Sequence, residues 1–181
     1  MSDQIILQLK GISKQFPGVK ALDNVSLDVR KGEVHVLLGE NGAGKSTLMK
    51  ILSGVYKKDS GKIFLDGKEV EINSVNDAEN LGIGIIHQEF NLLPHRDIAQ
   101  NIFLGKEPTK RGPLGVKVLD KATMYSKCNE LLKTVGIDLD SRILVKDLGI
   151  AQKQMVEISK ALSLANLKIL IMDEPTATLT K

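Results

Sequence analysis

Apolar positions recur along this chain in two rhythms. In "VSLDV" (25–29) Val25, Leu27 and Val29 alternate with Ser26 and Asp28, the period of a strand with one wet face. "IILQL" (5–9) and "KIFLD" (62–66) read as further strands of an antiparallel patch near the N-terminus. Three other runs, "VHVLL" (34–38), "IGII" (83–86) and "ILIM" (169–172), are apolar without alternation, which predicts parallel strands buried on both faces. Helical spacing lies between them: residues 45–53; then Met124, Cys128, Leu131, Leu132 and Val135, with Gly136 as a stop; then Met155, Ile158, Ser159, Leu162 and Ala165. The segment 105–119, "GKEPTKRGPLGVKVL", reads as a loop with a solvated basic surface. Together these predict an α/β fold with a parallel core sheet, an N-terminal antiparallel β patch and a helical insert over about 95–165.

Composition narrows the picture further. A length of 181 residues with 42% hydrophobic residues suits one domain with a real core. A formal charge of +3 and only four Phe, two Tyr and no Trp argue against a nucleic-acid partner. The single cysteine, Cys128, allows no internal disulfide and reads as a small apolar residue on a buried helix face. "MSDQIILQLK" has no secretory pattern, and no apolar run is long enough to span a bilayer. The chain stops at "TATLTK", straight after an apolar strand, so a domain truncated at its C-terminus is expected.

The chemistry concentrates first in "GENGAGKST" (39–47). Gly39, Gly44, Lys45 and Ser46 occupy the defining places of G-x-x-x-x-G-K-[ST]. Chance alone would produce that template in roughly one chain in a hundred of this length, so its surroundings must carry the reading. An apolar run leads in and a helix pattern leads out. That context lets the backbone N–H groups of Gly39, Glu40, Asn41, Gly42, Ala43 and Gly44 wrap phosphate oxygens, aided by the helix dipole. Lys45 is placed for the β- and γ-phosphates, the Ser46 hydroxyl for Mg²⁺, and Thr47 for an α-phosphate. The second site is "ILIMDEP", a strand ending in Asp173 and Glu174. Ligands of open α/β sheets sit at such strand ends; Asp173 would hold Mg²⁺ through water, and Glu174 would polarise the attacking water. The GTPase marks N-K-x-D and D-x-x-G are absent.

Taken in order, "GENGAGKST", "HQE", "LGIAQKQMVEISKAL" and "ILIMDEPTATLT" resemble the ATPase subunits of ABC transporters, most closely the monosaccharide importers of the ribose, galactose and allose type. The resemblance runs the whole length of the chain. It implies ATP and Mg²⁺ as ligands, Phe16 stacked on the adenine, and Gln88 sensing Mg²⁺ or the attacking water. It also implies that Leu148, Gly149, Ile150, Ala151 and Gln152 form the signature that completes the site of an opposing ATPase domain or subunit. A helix beginning near Ala151 would aim its N–H groups at that γ-phosphate.

In such importers two ATPase domains follow one another, and this chain corresponds to roughly the first two-thirds of the first. Membrane permease subunits, and through them an extracytoplasmic sugar-binding protein, are the implied partners, with the ATPase on the cytoplasmic face of the inner membrane. The chain departs from the family pattern at three points: Gly149 stands where serine is usual, Ala151 where glycine is common, and Thr180 where the D-loop often has aspartate. No switch histidine follows the second carboxylate site, and His35, His87 and His95 all precede it. A soluble ABC-type ATPase is disfavoured by the modest charge and short insert. A nucleotide-binding interaction module without turnover is the alternative for the fragment.

Overall fold

The computed structural model describes residues 4–86 and 90–173, an α/β chain that divides into two compact units, Met1–Ile83 and Gly84–Lys181. In the first unit, strands β1 (Ile5–Phe16) and β2 (Val19–Arg30) precede helix α1 (Lys45–Leu52). Strands β3 (Ser60–Leu65) and β4 (Lys68–Val70) and helix α2 (Val75–Leu81) follow. The four strands form one antiparallel sheet in the order β2-β1-β3-β4. The alternation read in 25–29 survives as half-buried Val25, Leu27 and Val29 between exposed Ser26 and Asp28. β1 runs seven residues past the predicted "IILQL", absorbing register shifts between Leu9 and Ile12 and between Ile12 and Lys14. Sequence periodicity stops at such irregularities because an extra residue moves the following side chains to the opposite face. Leu7, Leu9, Ile12 and Ile63 of the sheet and Leu48, Ile51 and Leu52 of α1 are almost wholly buried, each contributing about 1.5–3 kcal/mol of transfer free energy.

The run 34–38 corrects the sequence reading. It forms no strand, and Val34, Val36 and Leu38 are 90%, 67% and 85% exposed. An all-apolar run becomes a strand only where neighbours take its backbone N–H and C=O groups and other layers cover its faces. Among the described residues no such neighbour pairs with it.

The second unit opens on β5 (Ile83–Ile86), whose first residue closes the first unit. Helix α3 (Ile98–Ile102), strands β6 (Thr109–Arg111) and β7 (Lys117–Leu119), helices α4 (Lys121–Thr134) and α5 (Ile150–Leu162) and strand β8 (Ile169–Met172) follow. β5 and β8, two of the expected core strands, are hydrogen-bonded neighbours. The expected loop 105–119 contains instead the antiparallel hairpin β6–β7 around a single 3₁₀ turn at Pro113–Gly115. Short strands of Lys, Arg and Val carry too little apolar pattern to announce themselves. Gly136 follows α4 at φ +76° and ends it as expected. Ile98, Ile102, Met124, Cys128, Leu132, Val145 and Val156 lie in one cluster built from α3, α4, α5 and the turn before α5. Among the described residues no helix is long and apolar enough to cross a membrane.

Polar side chains hold the loops of this unit. Asp97 caps α3, accepting from Gln100 N–H at 2.7 Å on one oxygen and from the Tyr125 hydroxyl at 2.8 Å on the other. The carboxylate acceptor, with burial, holds the Tyr125 phenol above its ordinary pKa. Asn101, 1% exposed, accepts from Leu93 N–H at 2.7 Å and donates to the carbonyls of Leu93 and Asp97 at 3.1 and 3.0 Å. On α5, the buried Glu157 accepts from Asn91 N–H at 2.7 Å, and Lys160 Nζ donates to Asn91 O at 3.3 Å.

Two outcomes follow. Asn101→Ala strands the Leu93 N–H, while the carbonyls of Leu93 and Asp97 lose a second donor but keep the N–H groups of Arg96 and Asn101. The change is expected to lower stability by about 1–3 kcal/mol, read from the urea midpoint. Cys128, fully buried, has its thiol pushed from 9.0 up to about 12, chiefly by desolvation. The folded state therefore keeps a proton that the unfolded chain releases above pH 9.0. Stability from this group is intact below that value and is lost as the pH rises toward about 12. A urea series above pH 9.0 should fall more steeply for wild type than for Cys128→Ala, and iodoacetamide should label the thiol only after denaturant is added.

Candidate functional site

The glycine loop is built from β2 outward. Beyond Arg30 the chain turns around Glu33, which accepts from Arg30 N–H at 2.7 Å and contacts His35 Nδ1 at 3.0 Å. The Arg30 N–H first, and then His35, hold the Glu33 carboxyl below its usual pKa. The loop closes on itself where Ala43 N–H donates to Glu40 O at 3.2 Å. Gly42 and Gly44 both have positive φ, +85° and +90°. At Gly44 a Cβ would stand 2.5 Å from Ala21 O and 2.8 Å from Leu22 Cδ2. This residue must therefore be glycine twice over, for its φ and for its approach to β2.

Gly44 is also the N-cap of α1 and provides no side-chain cap. Leu48 N–H is already bonded to Gly44 O at 2.9 Å. The N–H groups of Lys45, Ser46 and Thr47 precede the first intrahelical bond and have no acceptor among the described residues. The Lys45 ammonium donates to Gly39 O at 2.6 Å and to Glu40 O at 2.9 Å. One side chain thus binds two carbonyls of the loop and holds a cation against it, on the segment that also carries the open N–H groups and the hydroxyls of Ser46 and Thr47. That is a site for an anion with several oxygens. The exposed Ser46 hydroxyl is a hard oxygen ligand of the type Mg²⁺ takes beside a phosphate.

Phe16, at the end of β1, is half-buried. Its ring meets Tyr56 edge to face, centroids 5.3 Å apart, and Lys14 Nζ lies 5.5 Å from its centroid. Tyr56 in turn sits under Lys50 of α1, 5.4 Å from the ammonium. Asp59 fastens this corner, accepting from Lys14 Nζ and Gln15 N–H at 2.6 Å each. Those bonds, the Lys14 one foremost, lower its carboxyl pKa. Tyr56, Lys14 and Asp59 escaped the sequence reading; the scarcity of aromatics was the one signal pointing to Tyr56.

The first unit therefore holds Phe16 and all of Gly39, Glu40, Asn41, Gly42, Ala43, Gly44, Lys45, Ser46 and Thr47. Asp173 and the signature residues belong to the second. Asp173 follows β8, half-buried, its N–H bonded to Ile86 O at 3.1 Å. α5 begins at Ile150, one residue before the expected start, with Gly149 as N-cap and Leu148 buried in the helical cluster. Gln152 Oε1 accepts from Gly149 N–H at 2.9 Å. Glycine offers no oxygen in return, so Ala151 and Gln152 N–H stay uncapped at an exposed helix start. Gln88, Glu174, Thr180 and His87 lie outside the described residues. Among the described residues no group of three or more His, Cys, Asp or Glu side chains gathers to hold a metal.

The ABC transporter family profile matches residues 22–177. The chain is 55% identical over 175 residues to the ribose import ATP-binding protein RbsA 1 of Streptomyces avermitilis, covering 97% of this chain and 32% of that protein. It is 52% identical to the galactose/methyl galactoside import ATP-binding protein MglA 1 of Photobacterium profundum, covering 98% and 35%. The chain thus spans about a third of the length of these relatives. Its fold superposes on the ADP conformation of an ATP-binding cassette of an ABC transporter with TM-score 0.80 and 29% identity, over 96% of this chain and 70% of the other.

The loop geometry separates two glycines by experiment. Gly44→Ala should cost about 2–4 kcal/mol, from a disallowed φ and a clash with β2 backbone. Gly39→Ala, whose Cβ would meet only Ala43 Cβ at 3.4 Å and Lys45 Cδ at 3.8 Å, should fold as wild type. Thermal melts of the two variants check this.

Proposed function

The chain belongs to the ABC transporter family, and from that premise we propose that it binds Mg²⁺-ATP and serves an ATPase energising monosaccharide import. The observation that carries the reading is the Lys45 ammonium held on the loop that leads into three helix-start N–H groups with no acceptor among the described residues. Backbone N–H groups of residues 40–47 receive the phosphate oxygens, and Lys45 moves from its loop carbonyls to the β- and γ-phosphates. Phe16, packed edge to face with Tyr56, stacks on the adenine. Ser46, Gln88 and Asp173 would hold Mg²⁺, which would supply charge neutralisation on the phosphates. Glu174 orients and deprotonates the attacking water.

The relatives named as ribose and galactose import ATP-binding proteins support the sugar assignment and a place at the cytoplasmic face of the inner membrane, beside permease subunits. The residues form part of a first ATPase domain, with its helical portion over about 95–165, and a second ATPase domain or subunit supplies the partner site. The uncapped helix start at Gly149–Gln152 faces that partner's γ-phosphate. Gly149 lacks the hydroxyl usual in the family, and this observation favours the second reading, nucleotide binding without turnover.

Calorimetry tests the premise. Lys45→Ala should weaken ATP binding at least about tenfold, the loss of a charge-assisted phosphate contact. Equal affinity for both proteins would sink the assignment. Phosphate release then separates the two readings: Glu174→Gln removes the base, so it should abolish turnover by about a hundredfold or more while ATP still binds. Turnover that is absent in wild type as well would select the binding module.

A further inference from the structure

One short segment carries a local excess of positive charge. Residues 105–121 hold five Lys and Arg against two carboxylates, an excess of three, and the rest of the chain, whose formal charge is +3 in all, balances only in sum. The excess sits on the β6–β7 hairpin, where Arg111 pairs with Lys117 and Thr109 with Leu119. Paired residues share a face of the ribbon, so Arg111 and Lys117 stand side by side, both exposed. Like charges directly opposite each other destabilise a hairpin unless an anion lies over them. The hairpin's ion pair, Lys110 with Asp120 at 3.9 Å, belongs to the adjacent pair Lys110–Val118 on the opposite face. On the cationic face Leu119 is 40% exposed; outside the paired strands, Val116 beside the 3₁₀ turn at the tip is 60% exposed.

We propose that this face docks on an anionic membrane surface, with Arg111 and Lys117 on lipid phosphates and Val116 and Leu119 entering the headgroup boundary. Paired cations flanked by bare aliphatic side chains fit a surface that is charged outside and apolar beneath. A soluble acidic protein would satisfy the cations but leave the aliphatic groups without a purpose. The inference goes beyond the ATPase reading, in which the chain meets the membrane through permease subunits, and it does not depend on nucleotide.

Flotation of the chain with vesicles tests it, using phosphatidylcholine alone and phosphatidylcholine with an equal part of phosphatidylglycerol. Binding is expected to the mixed vesicles only. Arg111→Gln with Lys117→Gln should reduce it at least about tenfold. That variant removes a repulsion, so its melting temperature should hold or rise, separating lost binding from lost fold. Val116→Ser with Leu119→Ser should weaken binding and make what remains vanish in high salt. The proposal is overturned if mixed vesicles are not bound, if either double variant binds them as wild type does, or if soluble polyglutamate displaces the chain completely at charge-equivalent concentration. ATP affinity, measured on the same proteins, should not change; that readout belongs to Lys45 and fails or stands separately.

Discussion

The contact between Gly44 and the backbone of β2 governs the first unit. With φ at +90° and a would-be Cβ 2.5 Å from Ala21 O, the loop-to-helix junction lies flat against the strand. α1 therefore starts at a defined place and in a defined direction, and Lys45, its first residue, reaches back to Gly39 O and Glu40 O. Any side chain at 44 would lift the helix from the sheet and open the loop. The packing of Leu48, Ile51 and Leu52 then secures the helix whose first N–H groups have no acceptor among the described residues. Stability and chemistry here share one constraint, the missing Cβ.

The helical unit depends on a different device. Its helices are short, and long irregular segments join them, so backbone groups in those segments need partners that regular structure does not provide. Asn101 takes up the turn at 93–97, Asp97 joins α3 to Tyr125 of α4, and Glu157 with Lys160 grips both the N–H and the C=O of Asn91. The last grip ties two distant stretches together: α5, which begins at Ile150, holds Asn91, 66 residues from Glu157.

Legibility varied with the range of the interaction involved. Gly39 to Thr47 could be read because their chemistry is local: a positive φ, a helix start, a cation six residues from the carbonyl it binds. The strands 83–86 and 169–172 and the helices over 121–134 and 150–162 were legible because burial imposes a period on neighbouring residues. Tyr56 behind Phe16, Asp59 on Lys14 and Glu157 on Asn91 were not, since their partners lie 40, 45 and 66 residues away and no pattern in one stretch records the other. α2 and α3 were missed because seven and five residues are too few to establish a helical period.

By itself, then, the order of residues determined the glycine loop 39–47, the strand 169–172 that ends at Asp173, the α/β alternation and the family. Each is written in side-chain chemistry at fixed short spacing, which the chain carries into any environment. Tertiary structure alone decided which apolar runs became strands, with 34–38 left exposed because no described neighbour takes its backbone groups. It also decided that 109–119 folds back to set Arg111 beside Lys117. Strand pairing joins residues by hydrogen bonds between backbones that are chemically alike everywhere, so only the folded chain can say which backbones meet.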